Sequence, residues 1–350
     1  MATDTPATPW WERNRYADKR PFLEKRALIT EHVRRYFRSS GFTEVETPIL
    51  QVSPGNETHL HAPRTELTDR AGNRLTRYLR TSPEFAAKKL LAAGEARIFE
   101  LARVFRDRER GDLHLPEFTM LEWYRAQSPY GTVMADACAI AAAAAEAAQT
   151  KMFAFRGRQV DPFSVPEGMT VAEAFMVHAG VNLLPTIEAG EGNRDALVEE
   201  ARSLVRIADD DTWSDIFSKI LVQHVEPKLG HERMTLLYEY PAPESALARL
   251  SDGDARVAER FELYACGVEL ANGFGELTDA VEQRQRFELA MDEKQRRYGE
   301  RYPLDEDFLD AVAVMPQASG VALGFDRLVM LAAGAKRIDQ VVWMPPSDGT

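Results

Sequence analysis

Cysteine is almost absent from this chain of 350 residues, which has only Cys138 and Cys266. Two cysteines exclude a disulfide scaffold and fit a reducing compartment, so a cytoplasmic protein is expected. Long apolar runs are missing too. The most biased run, Ala135–Ala148, is mostly alanine but is interrupted by Asp136 and Glu146, and reads as a closely packed helix rather than a bilayer segment. The opening MATDTPATPWWERNRY lacks a basic region followed by an apolar one, so no secretory signal and no membrane association are expected. A basic surplus is also absent. The net charge of −12 argues against a protein whose main work is holding nucleic acid. What is present, 45% hydrophobic residues, suffices for a large core, and the length allows one or two domains. No glycine- or serine-rich linker divides the mainly helical segment from Gly131 to about Ala258, so one domain is expected over 1–350.

The chain is organised around Ile98–Tyr124, IFELARVFRDRERGDLHLPEFTMLEWY. Apolar and β-branched residues at Ile98–Phe105 and alternation over Phe118–Tyr124 predict a hairpin. Its second arm places Phe118, Met120, Glu122 and Tyr124 on one face, and Thr119, Leu121 and Trp123 on the other. Between the arms lie Arg106, Asp107, Arg108, Glu109, Arg110 and Asp112, with Pro116 setting the geometry where the second arm begins. A solvated hairpin tip is the plain reading of these charges. Glu122, Tyr124 and Phe118 sharing a face beside Arg106 point instead to a surface for a ring, an anion and a cation together.

Elsewhere, the residues before Arg20 read as lacking regular structure. Arg20–Ser40 has apolar residues at helical spacing and ends at Gly41, followed by a strand-like GFTEVETPIL that stops at Pro48. His59 and His61, without a third ligand nearby, read as solvated loop histidines. Thr81 and Glu84 have capping-box spacing ahead of a helix ending near Gly94. Further helices are predicted at Thr132–Thr150, Thr170–Ala179, Arg194–Val205 and Trp213–Lys228, and a strand at Met234–Tyr240. That segment carries no ligand signature and reads as insertion and scaffold. Arg260–Ala280 predicts a hairpin turning near Gly267, with Glu269, Asn272 and Glu276 beyond it. Edge-strand glutamates are the plain reading; Mg²⁺ or an ammonium is the functional one. Finally, a short strand between Gly320 and Gly324 leads to a helix closing at Gly334. Arg327 lies in its first turn, where the helix dipole disfavours a cation and Asp326 only partly offsets this, so a bound anion is one explanation.

The run FR, charged residues, then H-x-P-E-F-T-M-L-E-W-Y closely resembles motif 2 of class II aminoacyl-tRNA synthetases, in the form found in lysyl-tRNA synthetases and elongation factor P lysine ligases. Residues 20–48 resemble motif 1 and 319–334 resemble motif 3, so the likeness spans nearly the whole chain. The resemblance implies an α+β fold, an antiparallel sheet flanked by helices, and a homodimer built on motif 1. It implies ATP and Mg²⁺ as cofactors. Amino-acid contacts would fall to Ser82, Pro83, Glu84, Glu122, Tyr124, Glu276 and Ala322. ATP contacts would fall to Arg106, Asp107, Arg108, Glu109, Phe118, Glu269, Leu270, Gly324 and Arg327, with Glu269 and Glu276 facing magnesium.

No segment reads as an anticodon-binding OB-fold, so a stand-alone catalytic core is expected. The elongation factor P ligases are the group that fits. They join lysine, preferably (R)-β-lysine, to a lysine ε-amine of elongation factor P, and tRNA is then not the acceptor. A truncated lysyl-tRNA synthetase, another amino-acid:adenylate ligase and an inactive regulatory paralogue remain open. Two departures stand out. Motif 2 usually reads F-R-x-E, where this chain has Arg108 with Glu109 one position later, and the asparagine often found before P-E-F is Leu115. Glu109 or backbone would then supply the usual contacts.

Overall fold

A computed structural model describes residues 9–345. Eight strands form the main sheet, numbered here in chain order: β1 (Thr43–Glu44), β2 (Arg97–Phe105), β3 (Glu117–Ala126), β4 (Glu167–Thr170), β5 (Thr235–Pro241), β6 (Val257–Ala265), β7 (Val268–Gly275) and β8 (Ala318–Gly324). Their spatial order is β1-β2-β3-β8-β7-β6-β5-β4. The six inner strands are antiparallel, as expected from hairpins, whereas β1 on β2 and β4 on β5 are parallel, so the sheet is mixed at its two edges. The strand expected up to Pro48 shrinks to β1: Val45 N still reaches Phe99 O at 2.9 Å, but the chain then leaves the sheet edge.

The helices are α1 (Arg13–Ser39), α2 (Glu84–Ala92), α3 (Tyr130–Ala147), α4 (Val171–Ala179), α5 (Arg194–Ala201), α6 (Trp213–Ile220), α7 (Ala280–Tyr298), α8 (Glu306–Val312) and α9 (Phe325–Ala333). The reading of an irregular start lies outside the described residues for 1–8 and is corrected after them. Glu12 caps α1 by accepting from Asn14 N and Arg15 N, so the helix begins at Arg13 and runs through Pro21. The helix expected over Trp213–Lys228 stops at Ile220 and continues as a π turn, Leu221–Val225, and a 3₁₀ turn, Glu226–Lys228. None of the described helices is long and apolar enough to cross a membrane.

One sheet face is the core. Leu121 and Trp123 of β3 and Val321 and Leu323 of β8 pack with Ile29, Val33 and Phe37 of α1, the alanines of α3 and Leu328 of α9. Alanine explains how α3 lies so close to the sheet. A second apolar cluster, formed by α4 to α6, meets the sheet through Leu237, Tyr240 and Tyr264. The opposite face of β3, β8 and β7 is left to the cleft described below.

A buried ion pair ties the layers together. Arg26 of α1 donates to Asp326 of α9 at 2.5 Å and to Thr119 Oγ1 of β3 at 3.0 Å, while Asp326 accepts from Thr119 N at 2.9 Å. Asp326 is therefore committed to Arg26 and Thr119 and does not pair with Arg327. Asp326→Ala would strand the buried guanidinium and should destabilise the protein by about 3–5 kcal/mol, read from urea unfolding. Replacing the pair together, Arg26→Met with Asp326→Leu, should cost less than the single change; an equal or larger loss would show that the charges themselves contribute the stability.

Candidate active site

Alternation along β3 sends Phe118 and Met120 into a cleft whose walls are completed by Ala322 of β8 and Asn272 and Phe274 of β7. Register aligns these residues, with Ala322 opposite Glu122 on one side and Asn272 on the other. The start of α2 adds Ser82 and Glu84, the loop after β2 adds Arg106 and Glu109, and the start of α9 adds Gly324 and Arg327.

At the inner end, charges are buried together. Glu122 accepts from Ser82 Oγ at 2.8 Å and from the Tyr124 hydroxyl. Lys88 lies one helical turn beyond Glu84, and its ammonium is 2.6 Å from Glu84 and 2.7 Å from Glu276. Glu122 is 2% exposed, Glu276 1% and Lys88 0%. Burial, aided by the Glu84 charge, pushes the Glu122 carboxyl up to about 8. Burial also raises Glu276, to about 7 against the pull of Lys88. Burial opposes the Lys88 charge, but Glu276 and Glu84 outweigh it and hold its pKa above the ordinary lysine value. Burial and Glu122 keep the Tyr124 phenol protonated. Glu84 and Glu276 thus share one lysine while Glu122 has none among the described residues, an arrangement that favours an incoming cation. Gly320 lets Tyr124 and Glu276 pack against β8: a Cβ there would lie 2.3 Å from Tyr124 Cε1 and 2.5 Å from Glu276 Oε1.

The outer end is cationic. The Arg106 guanidinium sits 5.4 Å from the Phe118 ring centre and 3.8 Å from Glu109, and its buried Nε has no hydrogen-bond partner among the described residues. Arg327 donates to Glu269 O at 2.9 Å, lies 3.5 Å from the Glu269 carboxylate, and meets His114 Nε2 at 2.7 Å. Burial, with Arg327 nearby, lowers the His114 pKa, which suits a neutral ring accepting at Nε2. Burial and the adjacent Glu262 raise the Glu269 carboxyl.

Several expectations are redrawn by this geometry. Asp107 and Arg108 are exposed and stand outside the cleft lining. Arg108 takes a left-handed φ of 68° and turns outward to Glu300 at 2.6 Å and His61 Nε2 at 3.3 Å, while Glu109 faces the cleft. His61 is buried against Glu300, not solvated. No capping box forms at α2: the Thr81 hydroxyl donates to Pro54 O, and Ser82 Oγ accepts from Glu84 N. Pro83 is buried at the start of α2 and does not line the cleft. Glu276 stands with Lys88, apart from Glu269. Leu270 and Gly324 line the cleft, and so does Leu115, an apolar contact where an amide was expected.

Sequence reasoning passed over Lys88, Glu57, His114 and Leu247. Lys88 was legible as the i+4 partner of Glu84. Leu247, from a segment read as scaffold, carried no signal.

The chain matches the family model of class II tRNA synthetases (D, K and N) over residues 10–348, and it belongs to that family. It is 40% identical over 327 residues to the elongation factor P–(R)-beta-lysine ligase of Salmonella arizonae, an alignment covering 92% of this chain and 94% of that protein. It is 39% identical, with the same coverage, to the proteins of that name from Salmonella typhi and Salmonella dublin.

Carboxyls raised in the fold bind protons that the unfolded chain releases above its ordinary value of 4.5. Stability of the unliganded protein should therefore fall as pH rises from about 4.5 to about 8, by up to about 1.4 kcal/mol per unit for each such group. Glu122→Gln removes one group and should make the fall between pH 6 and 8 shallower. Parallel unfolding curves at both pH values for the two proteins would show that Glu122 is not protonated in the fold.

Proposed function

We propose that this chain activates (R)-β-lysine, or lysine, with ATP and transfers it to a lysine ε-amine of elongation factor P through an aminoacyl-adenylate. The observation that carries the reading is the polarity of the cleft: Glu84, backed by the buried Glu122, Glu276 and Lys88, on one side, and Arg106 and Arg327 on the other. An amino acid with two ammonium groups suits the first and a triphosphate the second. The relatives' names support this choice of amino acid and acceptor.

Glu84, Glu122, Tyr124 and Glu276 would orient the diamine. Arg106, whose buried Nε lacks a partner, and Arg327 would take the phosphates, with Phe118 supporting the adenine and Glu109 beside it. Magnesium would be held by Glu269, which Arg327 approaches only to 3.5 Å, and when bound it would spread charge on the phosphates. Glu276 is the weaker candidate for it because Lys88 already takes its carboxylate. No protein nucleophile is needed: the amino-acid carboxylate attacks the α-phosphorus and pyrophosphate leaves, then the acceptor amine attacks the anhydride and AMP leaves. Catalysis rests on orientation and preorganised charge.

The same proposal has the chain working in the cytoplasm as a single catalytic domain with no anticodon-binding barrel, taking no tRNA as acceptor. It also includes a homodimer. Ile49, Leu50, Val52, Leu67 and Leu75 are exposed apolar residues on or beside the small sheet of Leu50–Gln51, Arg64–Thr68 and Arg74–Leu79, a surface suited to a second copy. Sedimentation at micromolar concentration should give a dimer, and a fully active monomer would remove this part.

Pyrophosphate exchange across lysine isomers, followed by acceptor tests with elongation factor P and tRNA, tests the reading as a whole. Arg106→Ala and Arg327→Ala should each cost about 2–4 kcal/mol of transition-state stabilisation in exchange. The Ala322 methyl faces the cleft beside Phe118 and Met120, and by crowding an α-amine it should favour β-lysine by about 1–3 kcal/mol. Equal use of L-α-lysine and (R)-β-lysine, with the ratio unmoved by Ala322→Gly, would make Ala322 structural.

A further inference from the structure

A lysine side chain as acceptor poses a problem of protons. At neutral pH its ε-nitrogen is an ammonium with no lone pair, so attack on an anhydride needs a base within reach. The cleft carboxylates are mostly taken: Glu84 by Lys88, Glu109 by Arg106, Glu269 by Arg327 and Asp326 by Arg26. Glu57 also lines the cleft, and among the described residues no hydrogen bond or ion pair holds its carboxylate.

Its position is fixed from both sides. Asn56 Nδ2 donates to Pro303 O at 3.3 Å, the Thr58 hydroxyl donates to Ala290 O at 3.2 Å, and the fully buried ammonium of Lys294 donates to Thr58 O at 3.1 Å and Leu60 O at 2.6 Å. The backbone around Glu57 is thus pinned to α7 and the segment after it while the side chain stays free. The charged groups that face it are Arg106, Glu84, Arg260 and Lys294. The first belongs to the phosphate end of the cleft and the second to the amino-acid end, so Glu57 looks onto the junction where an aminoacyl-adenylate has its anhydride. Glu57 is exposed, so an acceptor ammonium can reach it, while partial desolvation beside the cleft raises its carboxyl against the pull of Arg106, and Glu84 adds to the rise.

We infer that Glu57 is the general base of the transfer step, taking a proton from the acceptor ammonium at the mouth of the cleft. This rests on the function proposed above. The carboxylate removes one proton from the ammonium. The freed lone pair forms the C–N bond at the anhydride carbonyl, and the C–O bond to phosphorus breaks as AMP departs with its electron pair. The second nitrogen proton goes to the phosphate of the departing AMP, and Glu57 returns its own proton to water.

The test compares wild type, Glu57→Gln and Glu57→Asp in three assays: pyrophosphate exchange with (R)-β-lysine, transfer to elongation factor P, and discharge to hydroxylamine, a nucleophile already uncharged at pH 7. Relative to exchange, E57Q should lose about 10²-fold or more in transfer at pH 7, the usual contribution of a positioned base. Its transfer should keep climbing with pH where wild type has levelled. Discharge to hydroxylamine should follow exchange, and E57D should recover part of the transfer. Transfer by E57Q at the wild-type ratio to exchange would overturn the assignment, as would an equal loss towards hydroxylamine, which marks a positioning role. Wild-type protein lacking exchange or transfer would overturn the parent reading, and this inference with it.

Discussion

The ammonium of Lys88, shared between Glu84 and Glu276, sets the terms for the inner cleft. Removing several carboxylates from water is costly unless cations accompany them. One lysine beside three carboxylates relieves only part of that cost, and the rest is met by proton uptake at Glu122 and Glu276. An incoming diamine would substitute its own charge for those protons, and binding would then be linked to proton release.

The geometry around that lysine follows from strand alternation. One strand, β3, has Leu121 and Trp123 in the core and Glu122 and Tyr124 facing away from it, so its register cannot slip without exchanging the two sets. Arg26, Asp326 and Thr119 hold α9 against the same strand, which fixes where Arg327 begins the helix. The arginine end and the carboxylate end of the cleft are in this way spaced by one continuous sheet.

Much of this was legible in the chain. Apolar and β-branched content marked the first arm of the central hairpin and period-two alternation the second, and positive-φ glycines ended helices and turns where expected, at Gly267 and Gly334. Less was legible where tertiary partners decide the outcome. Nothing local announces that Arg108 will adopt a left-handed backbone to reach Glu300, nearly two hundred residues on, and so turn Glu109 inward. His61 looked like a surface residue until Glu300, just beyond α7, supplied its partner. Glu276 has the spacing of a metal ligand, but a lysine from another helix claims it. The parallel edge strands were hidden for a similar reason, since two- and four-residue strands carry too little pattern to reveal their direction.

Strand β8 is asymmetric in what it tolerates. Residue 320 is closed to any side chain because Tyr124 and Glu276 already fill the space a Cβ needs. Ala322, two residues along the same strand, faces open cleft. Drift of this scaffold towards another amino acid has an entrance there, open to variation while residue 320 stays frozen.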